Sequence, residues 1–186
     1  MKKYSYILCI VLTIFSSQAA EFDLGTRGTL SISIPDDWSI NSKVVTRADG
    51  SSIGYTFAIK PRNDANAKCL LSLAYTTNGA PDKAAVHKEV LRTTKQFVSA
   101  SVEKKQTLKD FSLGTGFGSY CLFTDASLVG KEPEPGNYKV MAGGQVQPGD
   151  DLIGVVSLLA DDADGLEMKA MLKIINSLKV TPRDAK

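Results

Sequence analysis

Leu30-Ser31-Ile32-Ser33-Ile34 alternates apolar and polar residues without interruption. A period of two places every second side chain on one face of an extended backbone, so the segment predicts a half-buried strand. Pro35-Asp36-Asp37 ends it, and Trp38 follows. Ile53, Tyr55, Phe57 and Ile59 repeat the alternation up to Pro61, and Val44-Val45 predicts a short strand before the Asp49-Gly50 turn signal. Residues 68–76 (KCLLSLAYT) are apolar on both alternating faces except at Ser72, which suits a strand inside a sheet. Over 81–104 the period changes. Val86, Val90, Leu91, Phe97 and Val98 gather on one side of a helix, and Lys88, Glu89, Arg92, Lys95, Gln96 and Glu103 on the other. This predicts a long amphipathic helix, with Pro81 in its first turn and Asp82 at the positive end of its dipole. Its mixed-sign polar side reads as a solvated face.

Strand signals return at 111–113, 119–124, 138–142 and 152–160. Asp161, Asp162 or Asp164 then stands where a cap would start a last helix, along which Met168, Met171, Leu172, Ile175 and Leu178 recur until Thr181-Pro182. The order is strands, a long helix, more strands and a final helix. It predicts an α+β fold: a twisted, mainly antiparallel sheet flanked by a long central helix and a C-terminal helix.

The start of the chain has a different character. Lys2 and Lys3 precede an apolar core, Ile7 to Phe15, and small residues Ser17, Ala19 and Ala20 follow. A basic start, an apolar core and a small-residue end make a secretory signal peptide over residues 1–20. The core is shorter than the roughly 20 residues that span a bilayer, although an uncleaved anchor is the other reading. Cleavage is expected after Ala19 or Ala20, with Ala20 favoured and Glu21 first in the mature chain. Cys9 lies inside the apolar core, out of place for a lipoprotein. Residues 21–186 contain no linker-like stretch, repeat or second apolar run, and predict one globular domain in the periplasm or secreted, with no membrane anchor after cleavage.

Composition then narrows the partners. The chain has 22 Lys and Arg against 20 Asp and Glu. Lys2 and Lys3 account for the surplus, so the mature protein is formally neutral and lacks the basic excess of a nucleic-acid binder. Export leaves Cys69 and Cys121, which in an oxidising compartment are either one disulfide or two separate buried thiols. With His87, the chain's single histidine, they fall short of four zinc ligands.

Other chemistry is thin. A Cys-His pair would be a nucleophile and its base, but His87 falls near the apolar side of its helix and reads as a partly buried packing residue. There is no Gly-x-Ser-x-Gly elbow for a serine nucleophile. Gly114-x-Gly116-x-Gly118 lacks the third glycine of a dinucleotide loop, since Ser119 stands there, and reads as bends between strands. Asp161-Asp162-Ala163-Asp164-Gly165 fails as a calcium loop. With Gly165 at the sixth position, Ala160 and Met171 occupy the first and twelfth, where carboxylates are needed. No cofactor or metal is implied. Residues 125–137 (DASLVGKEPEPGN) form an unusually long connection, stiffened by Pro133 and Pro135 and solvated by Lys131, Glu132 and Glu134. Leu128 and Val129 offer apolar surface beside those charges. The loop is either a decorated hairpin turn or a partner-binding loop.

Leu30-Ser31-Ile32-Ser33-Ile34-Pro35-Asp36-Asp37-Trp38, followed far downstream by Met171-Leu172-Lys173-Ile174-Ile175-Asn176-Ser177-Leu178, resembles the opening strand and closing helix of the PsbP-like superfamily, which includes periplasmic DcrB-type proteins. The resemblance spans about residues 22–180. It implies an α/β sandwich that acts by binding, and it brings no catalytic residues. The expected function is a non-enzymatic accessory or binding protein of the cell envelope, recognising another envelope protein. The alternatives are a small periplasmic or secreted enzyme using a Cys or His87, and an exported immunity or inhibitor protein.

Overall fold

Alternation in the sequence becomes alternation in burial. Leu30, Ile32 and Ile34 face the interior from strand β2 (Thr29–Pro35), while the residues between them stay half exposed. The computed structural model describes residues 17–76, 79 and 81–183, so the leader's apolar core lies outside the described residues. β2 is the middle of a three-stranded antiparallel sheet, between β1 (Ser17–Asp23) and β10 (Lys179–Thr181).

A larger sheet contains β3 (Trp38–Thr46), β4 (Ser52–Pro61), β5 (Lys68–Tyr75), β6 (Leu108–Phe111), β7 (Phe117–Thr124), β8 (Val140–Gly149) and β9 (Leu152–Ala160). Its spatial order is β3-β4-β5-β9-β8-β7-β6, antiparallel at every step. Helices α1 (Lys83–Thr94) and α2 (Leu166–Asn176) complete the α+β fold. β5 and β9 are central strands, as expected for residues 68–76, but only one face of β5 is buried: Cys69, Leu71 and Leu73 are covered, while Leu70, Ser72 and Ala74 are exposed.

The two faces of the large sheet differ. One packs Phe57, Ile59, Leu71, Leu73, Val156 and Leu158 against β2 and against Met168, Met171, Ile174 and Ile175 of α2. This is the main core. On the other face α1 lies over β7 and β8, placing Val86 and Val90 on Cys121 and Phe123. It approaches closely: a Cβ on Gly143 of β8 would sit 3.3 Å from the Thr94 methyl.

Several sequence expectations change. The helix expected over 81–104 stops at Thr94 and tightens into a 3-10 turn over Lys95–Phe97. Thr93 and Thr94 turn their hydroxyls back onto the carbonyls of Glu89 and Val90, and Ser101 does the same to Val98 before bridging to Asp125. Such local bonds compete with helix continuation and bring the chain onto the end of β7. Pro81 precedes the helix rather than entering it. Asp82 is its N-cap, accepting from the Ala85 N–H at 2.7 Å. β6 falls earlier than the expected 111–113, and β3 spans nine residues rather than the short Val44-Val45 segment.

β1 and β10 were not expected. β1 runs through the Ala20–Glu21 junction, pairing Ala20 with Ile32 and Glu21 with Ser31. No helix among the described residues is long and apolar enough to cross a membrane.

Candidate functional site

The groups capable of nucleophilic or acid–base chemistry come first. His87 projects from α1 toward β6, where its Nε2 lies 2.9 Å from Asp110 Oδ1. Lys83 Nζ donates to Asp110 Oδ2 at 2.6 Å, and Ser119 Oγ donates to Oδ1 at 3.2 Å. The Lys83 hydrogen bond, with that of His87, holds the Asp110 carboxyl below its usual range against the opposing effect of partial burial. His, Asp and Ser are therefore together, but the carboxylate is in the middle. A catalytic relay needs the imidazole between the acid and the hydroxyl. Here the ring nitrogen is engaged by the acid, and Ser119 is fully buried. The expectation of a packing histidine is corrected to this extent: His87 sits at the flank of the buried stripe, about one-third exposed, with a carboxylate for a partner.

The cysteines do not meet, and the disulfide expected as one reading is excluded by topology. Cys69 pairs with Leu158 and faces the main core, whereas Cys121 pairs with Gly143 and faces α1. Strands β9 and β8 lie between them. Three strand spacings amount to about 14 Å, across opposite faces, against the roughly 7 Å that bridged α-carbons tolerate. Both are free, buried thiols. Burial pushes the Cys69 thiol up to about 12. It also raises Cys121, partly offset by the Thr94 hydroxyl. Neither supplies a thiolate at neutral pH.

The Asp and Gly motifs resolve into structural parts. Asp161 accepts from the Asn66 side-chain amide at 3.0 Å on both oxygens, and from the Lys139 N–H. Asp162 accepts from the Asp164 N–H at 2.9 Å. Gly165, not an aspartate, is the N-cap of α2, which corrects the expected cap. Gly116 has φ +74°, and a Cβ there would meet the Gln147 carbonyl oxygen at 1.8 Å, so it is a bend that only glycine can make. Among the described residues no group of three or more His, Cys, Asp or Glu side chains could hold a metal ion.

The 125–137 loop builds something more substantial. Asp125 takes the N–H and hydroxyl of Ser127 at 2.8 and 2.7 Å and fixes one 3-10 turn over Ala126–Leu128. Leu128 and Pro133 are half-buried, while Val129, Lys131, Glu132, Glu134 and Pro135 are exposed. The Asn137 N–H closes a turn onto the Glu134 carbonyl at 2.9 Å, and Lys139 reaches Glu132 at 3.5 Å. Gly136 and Asn137 at the end of this loop, with Tyr138 and Lys139 after it, form one wall of a groove of about 250 Å³, which none of the seven candidate contact residues between Leu128 and Pro135 lines. Phe97 and Ala100, just past α1, form the other wall, and Phe123, Met141 and Leu159 make the floor. Glu103 holds this corner by accepting from the Thr124 N–H and hydroxyl at 2.9 and 2.8 Å. Partial burial acts to raise its carboxyl, but these hydrogen bonds prevail and it lies below its usual range.

Sequence reading found the loop but missed the floor. Phe123, Met141 and Leu159 are α1-side positions on three strands, and their only signal was the alternation within each. On the same sheet face, beyond α1, a second hollow of about 290 Å³ is lined by Val45, Thr56, Ser72, Ala74, Ile153 and Val155. Both hollows present chiefly apolar side chains. Compared with family models, curated proteins and solved structures, the chain matches none.

Proposed function

We propose that this is an exported, non-enzymatic accessory protein of the cell envelope that works by recognising another protein, with the groove beside the 125–137 loop as its contact site. The observation that carries the reading is the contrast between the two kinds of candidate site. The nucleophiles are buried or engaged, whereas the groove is open, floored by Phe123, Met141 and Leu159, and walled by Phe97 and Ala100 on one side and by Gly136 to Lys139 on the other. Preformed walls lower the ordering cost of association. The three-part leader supports placement in the periplasm or outside the cell. A PsbP-like α/β sandwich is the finer fold assignment that we attach to this reading. Its support is the arrangement of α1 on one face of the large sheet, with α2 and the small sheet on the other.

The reading is tested by affinity capture of the tagged protein from fractionated cells. The native chain is compared with one in which residues 128–136 are replaced by a short Gly-Ser link. Loss of an envelope partner from the shortened, folded protein is the expected result; unchanged capture would remove the loop from the contact. Turnover that is abolished by His87→Ala at an unaltered melting temperature would replace the binding reading with the enzyme.

A further inference from the structure

α1 covers β7 and β8, and no helix among the described residues lies over the same face of β9, β5, β4 and β3. Across β3 and β4 this uncovered half is polar, with Ser39, Asn41 and Thr56, whereas over β5 and β9 it carries apolar side chains interrupted only by Ser72 and Ser157. Val155 of β9 is 59% exposed and Leu70 of β5 is 36% exposed, with Ile153 and Leu159 half-exposed along the same stripe. Lysines bound the stripe: Lys68 opposite Leu159, Lys60 on β4 and Lys43 on the edge strand. None of the three has an ion pair among the described residues. Strand positions on this face, from Ser39 through Lys68 to Leu159, contain no carboxylate. In the adjoining hollow the Gln145 amide oxygen is shut off from water without a hydrogen-bond partner.

We propose that this half-face docks an acidic amphipathic helix of the partner protein, laid beside α1. Its apolar stripe would rest on β5 and β9, with carboxylates toward Lys43, Lys60 and Lys68. The inference rests on the protein-recognition reading above and adds the partner's chemistry. β9, β5 and β4 already have a hydrogen-bonded strand on each side, so they offer no free backbone edge to an added strand. A chain lying on the apolar part of this face, over β5 and β9, must satisfy its own backbone, and a helix does so. The space fits one. From β3 to β9 is about 14 Å, against the 10–12 Å diameter typical of a helix with its side chains, roughly. A bilayer is the weaker fit, because α1 rises about 10 Å above the sheet along one side of the stripe and holds a flat surface off it. A second copy would bring lysines against lysines.

The test is photocrosslinking in the cells that export the protein. p-Benzoylphenylalanine replaces Leu70 or Val155 on the half-face and, separately, Val129 in the loop. Crosslinks from 70 and 155 are expected to map to a partner segment with helical apolar spacing and Asp or Glu along one flank. The triple variant Lys43→Glu, Lys60→Glu, Lys68→Glu should lower their yield by about tenfold or more, since like charges are then juxtaposed. The matching triple Lys→Arg variant should retain the yield. The inference is overturned by crosslinks to lipid, to a basic segment, to residues 1–16 or to a second copy, by no crosslink at all, or by indifference to charge reversal. If 129 captures a protein while 70 and 155 capture nothing, only this inference falls. If all three positions are silent, the recognition reading falls with it.

Discussion

At the scale of single residues, local environment decides the chemistry. Cys69 and Cys121 would serve redox or nucleophilic roles as thiolates, and burial suppresses that form in both. Native protein should therefore leave both thiols unmodified by a soluble thiol reagent, with two modified after denaturation without reductant. One disulfide found by peptide mapping would contradict the sheet order. The carboxylates behave in the opposite way. Glu103, Asp110 and Asp125 are held below their ordinary values of 4.5, 3.8 and 3.8. A depressed folded-state value contributes stability that is fully present above the unfolded value and is lost as pH falls through the folded one. The melting temperature should thus hold down to about pH 5 and decline below about 4, a window set by those carboxylates. Asp110→Asn should cost less than about 1 kcal/mol, because its ion pairs are well solvated. Comparing the acid limb of that variant with the native protein measures its share.

At the scale of elements, α2 shows how one stripe carries a helix. Met168, Met171, Ile174 and Ile175 are buried at helical spacing, whereas Leu166 in the first turn is 78% exposed. Met171→Ala should destabilise by roughly 2–5 kcal/mol, the sum of lost transfer energy and the cavity left behind. Leu166→Ala should stay within about 0.5 kcal/mol. Denaturant titration of the two variants separates the effects, and equal losses would mean that the packed face is misassigned. α1 was legible in its apolar stripe but not in its length. Val98 continues the helical period, yet the chain leaves the helix because Ser101 and Val102 pair with the end of β7. That competing partner lies more than twenty residues away in sequence and has no local signature.

At the scale of the whole molecule, the two sheets divide the work unequally. β1 adds little core beyond Ala20 and Phe22, and Phe22 packs edge-on against Phe57 at 4.8 Å between ring centroids. A chain beginning at Glu21 keeps Phe22 and the pairs of Glu21–Asp23 with β2. It should fold to the same structure with nearly unchanged stability. A chain beginning at Leu24 loses the ring, and about 2 kcal/mol with it, from apolar area returned to water. Thermal melts of the two purified chains check this, and a collapse of the first would show that the Ser17–Ala20 half of β1 is structurally required.

The sequence by itself determined the elements that carry a strong period. β2, β4 and the apolar stripes of both helices follow from alternation or helical spacing, and β5, β7 and β9 from apolar runs of strand length, because these signals lie in residues that are neighbours along the chain. It also determined that the 125–137 loop would be long and solvated. Tertiary structure alone decided which strands became neighbours. Inserting β9 and β8 between β5 and β7 set Cys69 and Cys121 apart, and placing β6 under the start of α1 gave His87 a carboxylate rather than a thiol. The groove floor is of the same kind: Phe123, Met141 and Leu159 come from three strands, and only the sheet brings them to one face. Periodicity is a property of nearby residues, whereas a site is made by contacts between residues far apart in the chain, and these are fixed only when the sheet closes.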